Sequence, residues 1–312
     1  MEAVGLAARR FFRLAANILL SVRLFRGWLQ VRANRRRPGP PLIEPVVVLP
    51  RAPSGPTDDE VRARFAPPHS WYHEFRFEGG LDFPAHYRRF GGGALVSPLG
   101  KFRHSMPDLV AAAGGAFGGK RVLDIACNAG FWSFQCAMLG AAEVVGFDGR
   151  KENIDSARFV QAVTGLDNVR FQHLLFEEMT PERLGGRFDI VLNLGVLYHL
   201  PEPIEALRRT AAMAREFVLL DTRLVPGRRA AIHLQSGIRS DDCQSSFGNL
   251  RGKPSKSALL MFLHHLGLTS YYEIPPRRMD VNYGYLTGSR IALLIDVRGW
   301  NQRSGRPPDT LN

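Results

Sequence analysis

Val122-Leu123-Asp124-Ile125-Ala126-Cys127-Asn128-Ala129-Gly130 is the stretch on which the reading of this chain turns. It runs from a short apolar segment, residues 121–125, through a turn of small residues into the helical pattern of residues 131–139. In open α/β sheets, ligands sit at the carboxyl ends of the strands, beside turns of this kind. Ala126, Ala129 and Gly130 let the backbone approach a ligand closely. The helix that follows offers unpaired N–H groups at its start, which suit a carboxylate.

The same alternation continues downstream. Apolar runs at 143–147, 169–173, 188–192 and 217–220 read as strands, and helical patterns at 150–163 and 202–214 lie between them. Strand–helix alternation at this spacing predicts parallel strands joined by right-handed crossovers. A helix at 255–266 and strands at 268–273 and 290–297 complete the expectation. It is an α/β fold with a doubly wound, mostly parallel, Rossmann-like sheet of seven strands over residues 119–298, preceded by an N-terminal helical appendage. Residues 223–254 are loosely patterned, and 299–312 read as a flexible tail.

The second strand ends at Asp148, 24 residues beyond Asp124. A carboxylate there can accept hydrogen bonds from a ribose, at about the spacing expected of such a site. A nicotinamide dinucleotide would want G-x-G-x-x-G after the first strand, whereas the turn holds Gly130 alone. The acid Asp124 at the strand end disfavours a pyrophosphate. It suits an amino-acid-bearing nucleoside, whose ammonium needs an acceptor.

Asp-Ile-Ala-Cys-Asn-Ala-Gly-Phe (124–131), the strand ending at Asp148, and Asn-Leu-Gly-Val-Leu-Tyr-His-Leu (193–200) resemble class I S-adenosylmethionine-dependent methyltransferases. Gly-Val-Leu-Tyr-His followed by Pro203, with Trp71-Tyr72-His73 upstream, is similar to the group containing the bacterial tRNA wobble-uridine carboxymethyltransferase. The resemblance covers about residues 69–297 and implies S-adenosylmethionine as cofactor, or its carboxy form. It implies that Asp124 and Gly130 line the methionine portion, that Ala126 and Asn128 belong to the same cofactor-binding turn, and that Asp148 holds the ribose. Phe176 and Glu177 would edge the adenine, and Asn193 and Gly195 would contact the amino-acid end. Ala126 and Asn128 stand where the general motif has glycines; alanine is small, and asparagine tolerates unusual dihedrals.

Methyl transfer from a sulfonium needs little beyond in-line positioning of the acceptor and exclusion of water. For a hydroxyl acceptor a base helps, and His199, beside Tyr198 after the fourth strand, is the leading candidate. His73 and His233 are weaker ones. In the carboxymethyltransferase, residues resembling Tyr198 and Arg290 bind the extra carboxylate, a task the guanidinium fork suits. That enzyme also uses an N-terminal lysine. No counterpart stands out within residues 57–118, so plain methyl transfer is expected. The acceptor is read as a small molecule, a lipid-linked one or a tRNA. Tyr87, Arg88, Arg89, Phe90, Lys101, Phe102 and Arg103 form a small basic, aromatic patch of the kind a nucleic acid would want. A cofactor-binding or membrane-docking module without turnover is the non-enzymatic alternative, which retention of both Asp124 and Asp148 disfavours.

Residues 1–37 hold nine arginines against the single acid Glu2, which is +8 of the formal +12. Residues 3–31 read as a basic amphipathic helix, with Val4, Phe11, Leu14, Ile18, Val22, Phe25 and Leu29 in one stripe. Such a helix suits an anionic membrane surface, an organellar targeting role, or packing on its own domain. Seven prolines in residues 38–56 mark an extended linker, and residues 57–118 form an aromatic, glycine-rich extension that resists assignment to regular structure. The three cysteines form no CxxC pair and suggest neither a disulfide framework nor a metal site. No apolar run reaches a membrane span. A cytoplasmic protein, peripheral to a membrane through its first helix, is the expectation.

Overall fold

The computed structural model describes residues 22, 25–33, 48–66, 71–84, 98–236, 250–278 and 283–304. In chain order, a helix at 25–33 (α1) precedes β1 (Val48–Leu49), α2 (Asp58–Phe65), the hairpin β2 (Phe75–Phe77) and β3 (Leu81–Phe83), and α3 (Pro98–Ala112). The alternating part follows as β4 (Arg121–Ile125), α4 (Phe131–Met138), β5 (Glu143–Asp148), α5 (Lys151–Thr164), β6 (Val169–His173), α6 (Pro181–Leu184), β7 (Phe188–Leu194), α7 (Pro203–Met213) and β8 (Ala214–Arg223). After it come the pair β9 (Ile232–Ser236) and β10 (Leu250–Pro254), then α8 (Lys256–His265), β11 (Tyr271–Glu273), α9 (Tyr283–Thr287), β12 (Arg290–Asp296) and α10 (Arg298–Ser304).

The seven-stranded sheet has the order β11-β12-β8-β7-β4-β5-β6. Strands β4 to β8 are mutually parallel, while β12 runs antiparallel to both β8 and β11. Alternate residues of each strand feed two cores. Val122, Ile190 and Leu219 meet α3, α4 and α5 on one face, and Leu123, Val191 and Leu220 meet α7 and α8 on the other. Burial on both faces is why these strands read as unbroken apolar runs. Winding proceeds outward from β4 to β6 and then restarts at β7 on β4's other side. The order therefore reverses between β4 and β7, and a crevice opens there at the strands' carboxyl ends.

The extension at 57–118 is more regular than its sequence suggests. Thr57 closes a capping box on α2, its hydroxyl accepting from the Glu60 N–H. Phe65 stacks on Trp71 at 4.0 Å and on Phe83 at 4.1 Å, and Phe75 meets Phe131 and Phe134 of α4 edge-on. These rings seat the hairpin on the sheet's outer layer and hold Tyr72 and His73 at the crevice. The described end of the proline-rich segment is likewise packed: Leu49 is 2% exposed and Ala52 N–H donates to the Val163 carbonyl. The linker reading fails for residues 48–56, because buried Leu49 and that hydrogen bond fix them to α5. The tail reading fails for residues 299–304. Trp300 Nε1 donates to the Leu266 carbonyl and Asn301 Nδ2 to the Ala214 and Arg215 carbonyls, so α10 is docked.

Of the amphipathic N-terminal segment, residues 3–21, 23 and 24 lie outside the described residues. In α1, Gly27 lies against Leu286, where a Cβ would come within 2.6 Å of its carbonyl oxygen, and Val31 is buried. The face expected to be the functional stripe is turned outward: Val22, Phe25, Trp28 and Leu29 are each at least 40% exposed.

Candidate functional site

A cavity of about 340 Å³ opens at the carboxyl ends of β4, β5 and β7. Its floor is the turn after β4. Ala126 and Asn128 have φ of 53° and 52°, and Gly130 has 83°. Left-handed backbone at alanine costs about 1 kcal/mol, asparagine less. The turn is held in that shape by hydrogen bonds from Cys127 N–H to the Phe147 carbonyl, from Asn128 N–H to Asp148, and from Ala129 N–H to the Asn128 side-chain oxygen.

Two carboxylates face this space. Asp124 accepts from Ser133 Oγ at 2.7 Å and is 2% exposed. Burial pushes its pKa up to about 7; the bonds from Ser133 pull it down, and the nearby Asp148 charge raises it. Asp148 accepts from the N–H groups of Asn128 and Arg150 and from Asn153 Nδ2. Burial raises its pKa as well, against those three donors. A carboxylate offers about four acceptor positions, so room remains for a ligand hydroxyl.

The far end of the cavity is cationic. Lys101 on α3 is 6% exposed and donates to the Tyr72 hydroxyl at 3.0 Å. A Cβ on Gly195, whose φ is 84°, would lie 3.7 Å from each of Lys101 Nζ, Arg290 Nη2 and the Tyr198 hydroxyl. His199 packs on Tyr198 with ring centres 4.3 Å apart. Burial, then the charges of Arg251, Arg223, Arg290 and Lys101, push its pKa down to about 3. An imidazole held neutral so firmly is a weak base unless negative charge arrives beside it.

Nine of the twelve residues assigned to the cofactor or named first for the transfer step line the cavity: Asp124, Ala126, Asn128, Asp148, Phe176, Glu177, Gly195, Tyr198 and His199. Three do not. Gly130 faces the core, where a Cβ would meet Phe171 at 2.6 Å, so it serves the turn rather than the wall. Asn193 is fully buried, and its Nδ2 donates to Thr210 Oγ1 on α7, which removes it from the site. Arg290 sits behind Tyr198, its guanidinium 5.6 Å from the ring and paired with Asp221 at 3.0 Å. Lys101 was missed as a wall residue. The basic, aromatic patch to which it was assigned does not hold together, because Phe102 is 1% exposed and packs on Phe131. Of its other members, Arg103 is half-buried on α3, and Tyr87, Arg88, Arg89 and Phe90 lie outside the described residues. Tyr72, His73, Arg150 and Asn153 add further polar groups to the wall, and only Tyr72 and His73 had a signal, in Trp71-Tyr72-His73.

The family model described as a methyltransferase domain matches residues 116–227, which run through β4 to β8 and the turn carrying Asp124. This is a class I methyltransferase domain. Among curated relatives, the tRNA U34 carboxymethyltransferase of Campylobacter hominis is 35% identical over 111 residues, 35% of this chain and 38% of that one. The ubiquinone biosynthesis O-methyltransferase of a Ruegeria species is 37% identical over 99 residues, 32% of this chain and 38% of that one. The chain thus spans about two fifths of the length of these relatives. Among solved structures, the N-terminal domain of EvdMO1 with SAH bound aligns with a TM-score of 0.59 at 21% identity, over 79% of this chain and 98% of that one. That likeness is one of fold, and it reaches beyond the methyltransferase domain. Among the described residues no helix is long and apolar enough to cross a membrane, and no three metal-binding side chains cluster.

Proposed function

We propose that the chain binds S-adenosylmethionine in this cavity and transfers its methyl group to an acceptor docked at Tyr198 and His199. The observation that carries this reading is the pair of buried carboxylates, Asp124 and Asp148, facing one cavity across a turn without the dinucleotide glycines. Asp124 would accept the ammonium, Asp148 a ribose hydroxyl, and Phe176 and Glu177 would border the base. The sulfonium supplies the activated methyl. The protein's part is to align the acceptor and exclude water, which Tyr72, just before the hairpin, and the segment Tyr198–Leu200 assist. Calorimetry with S-adenosylmethionine and NADH tests the assignment; tighter binding of NADH would defeat it.

The Asp124 environment adds a pH signature. Below pH 7 this group is protonated in the empty cavity and must release its proton to accept an ammonium. Affinity for S-adenosylmethionine is therefore expected to fall roughly tenfold per unit as pH drops below about 7, and to level off above it. Calorimetry in buffers of different ionisation enthalpy should show proton release at pH 6.5. A flat affinity between pH 6 and 8 would remove Asp124 from the ammonium site.

Carboxy-S-adenosylmethionine as donor is a second reading, favoured by Lys101. Its ammonium converges with Tyr198 and Arg290 near Gly195, supplying the lysine that the sequence was read as lacking. Against it, Arg290 already has Asp221 as partner. With this donor the acceptor would be a tRNA; with the plain donor it would be a small or lipid-linked molecule.

The outward row Val22, Phe25, Trp28 and Leu29 supports attachment of α1 to an anionic membrane surface, with the domain held cytoplasmic and peripheral. Joint Phe25→Ser, Trp28→Ser and Leu29→Ser substitution should abolish binding to phosphatidylserine liposomes while leaving donor affinity unchanged. Co-sedimentation at low salt measures it. Full-length protein that ignores such liposomes would leave packing as the helix's role.

A further inference from the structure

The strands beside Tyr198 end in a row of cations that the donor site does not use. Arg223, the last residue of β8, stands opposite Arg290 in the antiparallel ladder. Like charges directly opposite one another are unfavourable in a sheet. Arg290 is neutralised by Asp221, but among the described residues no carboxylate pairs with Arg223. On the other side, Val225 bridges Ser255 in parallel register and its N–H donates to the Pro254 carbonyl. That register sets Lys253 beside Arg223, and Lys253 too has no acidic partner among the described residues. Arg251 lies two residues away on the same face of β10.

This row adjoins the acceptor end of the cavity. Arg223 and Arg290 each have their guanidinium 5.6 Å from the Tyr198 ring. β10 is tied to the segment after His199 by the bond from Gly252 N–H to the Leu200 carbonyl, and Leu250 of the same strand lines the cavity. The field is strong enough to be felt by its neighbours. Burial, then Arg223 and Arg251, lower the pKa of Lys253, and burial, then four cations, lower that of His199. A cluster so charged, at the rim of an otherwise complete pocket, is built for a negative group.

We propose that the acceptor carries an anionic group, a phosphate or a carboxylate, which docks on Arg223 and Lys253 beside Tyr198 and so presents the nucleophile to the cavity. This rests on the methyltransferase reading and adds the acceptor's chemistry to it.

The test is calorimetric titration of the full-length protein, saturated with SAH, with inorganic phosphate and separately with acetate at matched ionic strength. Saturable binding of one of these probes is expected, and the preferred probe names the group. Joint Arg223→Ala and Lys253→Ala substitution should weaken that binding by about tenfold or more, the scale for charge-assisted hydrogen bonds. SAH affinity in this variant should match wild type, which also shows that it folds. The arginines of residues 1–37 are common to both proteins and cancel in the comparison. Failure of wild type to bind SAH would overturn the methyltransferase reading and this proposal with it. SAH binding without saturable anion binding, or anion binding that the double variant leaves intact, would overturn this proposal alone.

Discussion

Arg290→Ala is expected to cost about 3–5 kcal/mol of folding stability, because it leaves a buried carboxylate without its counter-charge. The side chains of Arg290 and Asp221 are 4% and 1% exposed, and Tyr285 donates its hydroxyl to the same carboxylate. Burial works against the charge on Arg290, and Asp221 more than restores it, so its pKa is shifted upward. Urea denaturation of the full chain measures the loss. Joint Arg290→Met, Asp221→Leu and Tyr285→Phe should recover most of it, since apolar side chains of similar volume remove both desolvation penalties and leave no hydroxyl without an acceptor. A loss below about 1 kcal/mol would show that the pair is not structural. The same variant separates the two donors. Affinity for plain S-adenosylmethionine should hardly change, whereas affinity for the carboxy form should fall by about 2–5 kcal/mol if Arg290 grips its carboxylate. Wild-type preference for the carboxy form, lost in Arg290→Ala, would replace methyl by carboxymethyl transfer.

Asp148→Ala should weaken S-adenosylmethionine binding by about 1.5–3 kcal/mol, the scale of a lost charge-assisted hydrogen-bonding group. Two effects combine here. The ribose loses its acceptor, and the turn after β4 loses the bond that ties Asn128 N–H to β5. Asp148→Asn separates them only partly. Three protein donors converge on the carboxylate, so one of them must face the new amide NH₂. Thermal unfolding without ligand reports the loosened turn, and calorimetry reports the donor. Unchanged affinity in Asp148→Ala would exclude Asp148 from the site.

The parallel half of the sheet was legible because β4 to β8 are buried on both faces and so stand out as apolar runs between amphipathic helices. Their ends were read short: β7 runs on to Leu194 and β8 to Arg223, since register with neighbours extends a strand past its apolar centre. Asp124 and Asp148 were legible for a related reason, as acids at or next to the ends of apolar runs. The extension was not. Strands of three residues are too short to alternate visibly, and α3 contains Pro107 and is buried nearly all round, so it shows no polar stripe. Lys101 was hidden by that same helix, where a lone lysine among apolar residues looks like a surface charge. Asn193 misled in the opposite sense. It lies one residue before the end of β7 at the cavity's edge, but strand pleating turns its side chain to the α7 face, where Thr210 receives it.

The antiparallel insertion of β12 between β8 and β11 ties the site to the order of synthesis. The five parallel strands leave the ribosome before β11 and β12 and can close on one another, with β8 as an open edge. That edge, and the Asp221 carboxylate within it, wait until the last strand arrives with Arg290. A nascent chain halted between residues 224 and 289 would hold the whole donor turn yet display an unpaired strand and a bare acid. Such a fragment is a template for aggregation rather than a weakened enzyme. Chains truncated between residues 224 and 289 should therefore be recovered in the insoluble fraction on expression, where the full chain is soluble.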